Sequence, residues 1–303
     1  MFPSPTLVLC HVLLIALFIT APGAGPSPER IADALAAQEK AHASLETVFT
    51  VSAYAPAPLD QSQPARAGRL LEQRRIRWLS HDGCLRVEMH SGPAAAGRAE
   101  EARPELIGIW TGERWVEMTY DDVAEDYVVQ THARPMLDGF LDCAALFNVS
   151  DWLSIAGPAS LSESLRDAKE TDYREDDAEV RCSLVLADSE AHRTTAAVRL
   201  EKGPSLRLAA LDLRMLESAP EGENDPQTLL RIHYHVEEWA EYGGFTLPAL
   251  AHRDAFVHED GRPKMVGGKP VVARMIYERI SARDRRDAPP PAESFRSPAG
   301  QDD

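Results

Sequence analysis

The chain has 303 residues, of which 44% are hydrophobic, so it can bury a large core. Its 48 acidic residues outnumber its 32 Lys and Arg residues, and the formal net charge is −16. This charge repels the phosphates of nucleic acids and of acidic membrane surfaces, so we expect no nucleic-acid partner.

The first 25 residues predict a signal peptide. Residues 7–20 are almost purely apolar, and small or helix-breaking residues follow at 21–25, as a signal peptidase requires. Pro22 ends the apolar run short of the about 20 residues that a membrane helix needs. We therefore expect cleavage near Gly23 or Gly25, a periplasmic or secreted location and no stable membrane span. The alternative is an uncleaved anchor.

Residues 26–303 are predicted to form a single domain that opens with a helix. The motif Ser27-Pro28-Glu29 combines a hydroxyl N-cap, a first-turn proline and an acid near the positive end of the helix. Apolar side chains recur at helical steps through residues 31–45. After Glu46 the period changes to two, so residues 49–53 are predicted to form a strand.

Two hairpins and a helical insert are predicted next. Alternating segments flank the turn at His81-Asp82-Gly83 and a second turn at Gly112-Glu113. The acidic loop at 121–126 is interpreted as solvated rather than as a calcium site. Residues 136–168 return to helical spacing, which predicts the insert, and the charged run at 170–179 is interpreted as an exposed turn.

Strands resume at residue 181 and are predicted to continue to residue 280. Gly, Pro, Asn and Asp residues separate them, as turns require. In the strand at 206–216 the leucines change parity, which predicts a β-bulge near Ala209 and Ala210.

Together these elements predict an α+β fold that is mainly antiparallel β, with about ten strands. A sheet of this length must curl, close or split, and a single helix is available to cover its apolar face. We therefore expect a curled half-barrel with the N-terminal helix on its concave face. The hypothetical ligand cavity between helix and sheet would be lined by Ile31, Leu35, Leu45, Phe49, Val51, Leu85, Val87, Met89, Val116 and Met118.

The sequence contains none of the common catalytic motifs. It has no Gly-x-Ser-x-Gly elbow, no His-Glu-x-x-His and no Gly-x-Gly-x-x-Gly, so we expect a protein that is not an enzyme. His233 and His235 would project from one face of a strand and could begin a zinc site. A third ligand would have to come from His252, Asp254 or His258. Because their neighbours on that face are Arg231, Glu237 and Trp239, we interpret the histidines as part of a solvated face and expect no metal and no other cofactor.

Three cysteines remain after cleavage of the signal peptide. Cys84, Cys143 and Cys182 have spacings that match neither a zinc ribbon nor a disulfide scaffold. At most one disulfide can form among them, and its presence stays open.

Four features together suggest a family. They are the export signal, the opening helix that leads into residues 47–51, the segment Glu241-Tyr242-Gly243-Gly244-Phe245-Thr246-Leu247-Pro248, and the ending Glu293-Ser294-Phe295 followed by Pro298 and Gly300. This arrangement resembles the periplasmic outer-membrane lipoprotein carrier-like (LolA-like) superfamily, as a divergent member. The resemblance implies a half-barrel that shields a lipid or acyl chain between its concave face and a helical lid.

We therefore expect an exported, non-catalytic carrier or sensor that binds a lipid, an acyl chain or a lipoprotein. An envelope protein is a further expected partner. The alternative is a secreted hydrolase of unrecognised type that uses a cleft at His233 and His235.

Overall fold

The structure is a computed structural model that describes residues 28–41, 44–59, 68–91, 103–133, 162, 165–166, 171–189, 192–203, 206–217, 228–242, 245–259 and 261–296. The signal peptide, Cys143 and most of the predicted helical insert lie outside these residues. Of the insert, Ser162, Leu165 and Arg166 are described, and they are helical. Among the described residues no helix combines the length and the hydropathy needed to cross a membrane.

The described elements are one α-helix, seventeen strands and a short 3-10 helix. Their bounds are α1 Pro28–Ala41, β1 Leu45–Tyr54, β2 Ala57–Pro58, β3 Leu70–His81, β4 Cys84–Ser91, β5 Leu106–Trp110, β6 Trp115–Asp121, β7 Asp126–His132, β8 Thr171–Glu175, β9 Glu179–Asp188, β10 His192–Glu201, β11 Arg207–Glu217, β12 Thr228–Tyr242, β13 Phe245–Phe256, β14 His258–Glu259, β15 Arg262–Pro263, β16 Met265–Val266, β17 Lys269–Asp284 and the 3-10 helix Ala292–Phe295.

The fold is a mainly antiparallel β-sheet with α1 packed on one side. Neighbouring strands follow the order β7-β6-β5-β4-β3-β1-β17-β13-β12-β11-β10-β9-β8, and β2 and β16 pair with β17 to complete a 15-stranded sheet. The separate pair β14 and β15 forms a small hairpin. β1 and β17 are central neighbours, so the first and last long strands of the domain meet. Each end of the order has one partner only, so the sheet is open.

Both predicted hairpins are confirmed. Asp82 and Gly83 join β3 to β4 with positive φ angles of 48° and 77°, the backbone of a tight turn that matches strand twist. β5 and β6 pair across a turn in which Gly112 has a φ of 95°. In both turns a glycine occupies the left-handed conformation that other residues adopt at a cost.

The predicted β-bulge is also confirmed. Between β10 and β11 the register places Arg199 opposite Ala210 and Leu200 opposite Leu208, so Ala209 is the extra residue. This extra residue explains why the leucines of β11 change parity in the sequence.

Two segments differ from the sequence prediction. Residues 171–175 were expected in an exposed turn but form β8, which pairs with β9, and the turn is confined to residues 176–178. Asp176 stabilises this turn by accepting hydrogen bonds from the backbone N–H groups of Ala178 and Glu179. The strand β7 that follows the acidic loop was also missed, and the sheet therefore has more strands than the expected number of about ten.

The opening helix is shorter than predicted. Helical spacing extends to Leu45 in the sequence, but α1 ends at Ala41 and Leu45 is the first residue of β1. There Leu45 faces Ser80 of β3 and Asp284 of β17. Pairing on both sides, together with the β-branched residues that follow, favours the strand over the helix.

The inner face is defined here as the side of the sheet that α1 covers. Ile31, Ala32 and Leu35 of α1 are buried in one apolar cluster with side chains from both halves of the sheet. The sheet side chains of this main core are Phe49, Val51, Ile76, Val87, Met89, Leu106, Trp115, Val180, Cys182, Leu184, Ala196, Val198, Leu200, Leu208, Leu211, Leu213, Tyr234, Val236, Ala251 and Tyr277.

The opposite side, the outer face, carries a second and smaller apolar cluster. Phe295 of the 3-10 helix packs there against Leu79, Ile107, Ile109, Val116 and Met118. The hydrogen bond from Arg86 to the carbonyl of Ser294 holds this tail against β4 at 3.1 Å. The chain after β17 thus covers an apolar part of the outer face that would otherwise be exposed.

Candidate functional site

The inner face brings together most of the residues that the sequence predicted for a ligand cavity. Ile31, Leu35, Phe49, Val51, Val87 and Met89 belong to the main core, and Leu85 packs against its margin. Strand alternation is the physical reason, because every second residue of β1 and β4 points toward α1.

Three of the predicted cavity residues lie elsewhere. Val116 and Met118 belong to the outer cluster under Phe295, while Trp115 supplies the inner side chain of β6. Alternation correctly placed Val116 and Met118 on one face of β6, but the sequence did not show that the chain end would cover that face. Leu45 packs with Leu247 in a small separate cluster.

Partly exposed apolar side chains gather at one end of the sheet. This rim consists of Trp78, Leu85, Trp110, Tyr173, Leu206 and Trp239, all of which pack against the main core without being fully buried. Each lies close to a turn: Trp78 and Leu85 flank the β3–β4 turn, and Trp110 precedes the β5–β6 turn. The strand registers place these turns at the same end as the start of β1.

The C-terminal half of the rim follows the same rule. Tyr173 lies just before the β8–β9 turn, Leu206 just before β11, and Trp239 near the end of β12. The guanidinium of Arg207 lies 5.4 Å from the ring centre of Trp239. Of the six rim residues, Leu85 alone was predicted from the sequence as a cavity residue, although aromatic residues close to strand ends were a usable signal.

The outer face of the C-terminal half carries a histidine cluster. Cross-strand pairing places His233 beside Asp254 and His235 beside His252, so alternation sends all four side chains to the same face. The rings of His233 and His235 are stacked with centroids 6.4 Å apart, and the centroid of His252 lies 5.5 Å from that of His235. His258, the remaining candidate, lies in the separate hairpin.

The acids and arginines around this cluster are tightly paired. Both carboxylate oxygens of Asp254 accept hydrogen bonds of 2.6 Å from Arg274, and each of the two side chains is only 2% exposed. His252 Nδ1 lies 2.9 Å from Glu237 Oε1, and its Nε2 lies 3.7 Å from Asp254 Oδ2. The result is a continuous polar network across β12, β13 and β17.

Burial sets the protonation of these histidines. It lowers the pKa of His252 to about 4, because loss of hydration outweighs the attraction of Asp254 and Glu237. Burial likewise lowers the pKa of His233. Both rings are therefore neutral near pH 7, and the contact between His252 and Glu237 is a hydrogen bond rather than an ion pair.

The cluster contains the kinds of residue that form a metal site, but its carboxylate, Asp254, is already hydrogen-bonded to Arg274. Among the described residues, His233, His252 and Asp254 form the one group whose ligand atoms all lie within 4.8 Å of one another. Two imidazoles and a carboxylate are a ligand set that zinc accepts. However, Asp254 would have to share with an ion the oxygens that already accept hydrogen bonds from Arg274.

No protein-family model matches the chain, and no curated protein matches it either.

Proposed function

We propose that this protein is an exported, non-catalytic carrier or sensor that holds a lipid or another acyl chain between the inner face of its sheet and α1. The observation that carries this proposal is the cluster of buried apolar side chains on the inner face of a thirteen-strand path. α1 packs against this cluster, and a rim of partly exposed apolar side chains, four of them aromatic, lies at one end of it. We also propose that the sheet curls into a half-barrel around α1.

The dimensions of the elements support a curled sheet. Thirteen strands spaced about 4.8 Å apart would span roughly 58 Å if the sheet were flat. A 14-residue helix is about 21 Å long and about 10 Å wide, so it cannot cover such a surface. Yet Trp115, near one edge, and Leu200, near the other, are both 0% exposed. Curling of the sheet around α1 would bring both flanks into contact with the same interior.

The rim supports an opening at the turn end of the sheet. An acyl chain that entered there would pass Trp78 and Trp110 and reach the main core beside Phe49 and Val51. Each buried methylene of such a chain contributes about 0.8 kcal/mol. Rings at the margin suit this task, because aromatic side chains tolerate an environment that is apolar on one side and wet on the other.

The competing proposal, a hydrolase that uses His233 and His235, has less support. Two acids pair with His233 across the strands, and both are bound by arginines: Asp212 by Arg214 and Arg231, and Asp254 by Arg274. His252 is hydrogen-bonded to Glu237. The resemblance to LolA-like carriers and the predicted signal peptide favour the carrier instead.

A fluorescent fatty-acid probe tests the proposal directly. We expect saturable enhancement of its fluorescence by delipidated protein, and weaker binding by Ala53→Trp. Ala53 follows Phe49 and Val51 on the inner side of β1 and pairs with Met275 of β17. Ser52→Trp is the matched control, because it adds the same bulk to the adjacent residue, whose side chain lies on the outer face.

The rim gives the assay a second signal. A brominated fatty acid should quench the fluorescence of the rim tryptophans, and Trp78→Phe together with Trp110→Phe should remove a large part of that quenching. Absence of saturable binding by the wild type would refute the carrier proposal, and equal loss of affinity in Ala53→Trp and Ser52→Trp would refute the proposed location.

A further inference from the structure

A pocket of about 620 Å³ lies on the outer face, away from the proposed acyl site. Its floor is formed by β1, β3, β4 and β17, where Arg77 faces Val48 and Glu88, and Glu46 faces Arg283. Pro104 and Ile107 add an apolar wall. The pocket is lined by five arginines, namely Arg75, Arg77, Arg86, Arg283 and Arg285.

Two glutamates form ion pairs with three of these arginines, which leaves one positive charge unbalanced. Glu46 accepts hydrogen bonds from Arg77 Nη2 and Arg285 Nε, both at 2.8 Å. Glu88 accepts one from Arg86 Nε at 2.6 Å and lies 3.3 Å from Arg77 Nη1. Burial alone would raise the pKa of Glu46, but the hydrogen bonds from Arg77 and Arg285 lower it, so Glu46 is ionised.

The other two guanidinium groups add two more positive charges to the pocket. Arg283 lies beside Glu46 in the sheet, but within the part of the chain that the structure describes neither Arg75 nor Arg283 forms an ion pair with an acid. Five arginines against two glutamates leave an excess of three positive charges. Such a concentration is unexpected in a chain with a net charge of −16, and it creates a local field that attracts anions.

His90 adds a buried polar atom to the same pocket. The residue is 7% exposed, and its Nδ1 has no hydrogen-bond partner among the described residues. An unsatisfied buried polar atom costs about 1–3 kcal/mol.

We propose that this pocket binds a small molecule that carries a phosphate group. The planar guanidinium offers paired N–H donors that match phosphate oxygens, and a phosphate dianion fits the excess of positive charge. A volume of about 620 Å³ lies within the range of small-molecule sites and exceeds what a bare ion fills. The phosphate can belong to a soluble ester or to a lipid headgroup, and the experiment separates these sources.

The test measures binding by titration calorimetry at low ionic strength, with inorganic pyrophosphate and with glycerol 3-phosphate as probes. We expect saturable binding by the wild type and at least tenfold weaker binding by the double variant Arg75→Gln, Arg283→Gln. These two substitutions break no ion pair among the described residues, so the fold should persist, as circular dichroism would verify. Arg262→Gln is the control for loss of positive charge outside the pocket, because it removes one charge from an exposed residue there.

Flotation with vesicles identifies the source of the phosphate. Flotation of the wild type with vesicles of phosphatidic acid in phosphatidylcholine, but not with vesicles of pure phosphatidylcholine, assigns the phosphate to a lipid headgroup if the double variant does not float. Binding of the soluble probes without flotation assigns it to a soluble ester. The proposal is overturned if neither the soluble probes nor the vesicles bind saturably, or if the double variant binds as tightly as Arg262→Gln.

Discussion

The ion pair between Arg274 and Asp254 offers a sharp test of how the outer face is stabilised. Both side chains are 2% exposed, and the guanidinium donates two hydrogen bonds of 2.6 Å to the two carboxylate oxygens. The substitution Asp254→Ala removes the acid and leaves a buried guanidinium without its partner. It also removes the carboxylate that lies 3.7 Å from His252 Nε2.

The expected loss is large because the remaining charge stays out of water. Removing one member of a buried ion pair costs about 3–5 kcal/mol. That is a considerable part of the roughly 5–15 kcal/mol by which domains are stable. The comparison variant is Glu72→Ala, which breaks the pair of Glu72 with Arg74, whose side chains are 40% and 30% exposed, and should cost less than about 1 kcal/mol.

Urea unfolding followed by circular dichroism measures both variants. A third variant, Asp254→Leu with Arg274→Met, replaces the pair by apolar side chains and should recover most of the loss, because a well-packed apolar pair also avoids the cost of burying charge. A loss below about 1 kcal/mol for Asp254→Ala would contradict the argument, since it would mean that Arg274 regains hydration. Equal losses in the Asp254→Ala variant and the double variant would show that packing, and not the unpaired charge, decides the outcome.

Three further predictions concern pH, metal and export. The pKa of His252 is about 4 in the folded protein, below its ordinary value of 6.5, so the unfolded chain binds the proton first as the pH falls. The free energy of unfolding should therefore be highest above pH 6.5 and should fall between pH 6.5 and 4, by up to about 1.4 kcal/mol per pH unit. Unfolding of His252→Gln should show a smaller fall over the same range. Purified protein should contain no stoichiometric zinc, because both carboxylate oxygens of Asp254 already accept hydrogen bonds from Arg274. Stoichiometric zinc in an elemental analysis of the wild type, lost in His233→Ala, would contradict this prediction. Exported protein should begin near Gly23 or Gly25, and recovery of intact Met1 by N-terminal sequencing would contradict cleavage.

The sequence was most informative where the signal is local. The turn at Asp82 and Gly83 depends on residues that accept positive φ, and the bulge at Ala209 follows from a change of parity within one strand. Both features are determined by neighbouring residues, so they could be predicted. The end of α1 was predicted too far along the chain, because helical spacing continues to Leu45. Pairing with β3 and β17 makes that residue part of a strand.

Contacts between distant segments could not be predicted. The alternation of Val116 and Met118 along β6 is typical of residues that face a core, but it does not show which face of the sheet they occupy. They are buried on the outer face because Phe295, far along the chain, packs against them. The arginine pocket has the same origin, since it joins β3 and β4 to the last strand. Nothing in the local sequence around Arg283 shows that it will lie beside Glu46.

Strand β1 shows how one sheet can carry two separate chemistries. Phe49 and Val51 point into the main core, while Glu46 and Val48 line the arginine pocket on the other side. Because successive side chains of a strand point to opposite faces, residues a single position apart belong to different environments. A substitution on one face therefore leaves the side chains of the other in place, which is why Ala53 and Ser52 form a matched pair. The acyl chain and the phosphate are thus proposed to bind on opposite sides of the same strands, and variants of either site can be interpreted without reference to the other.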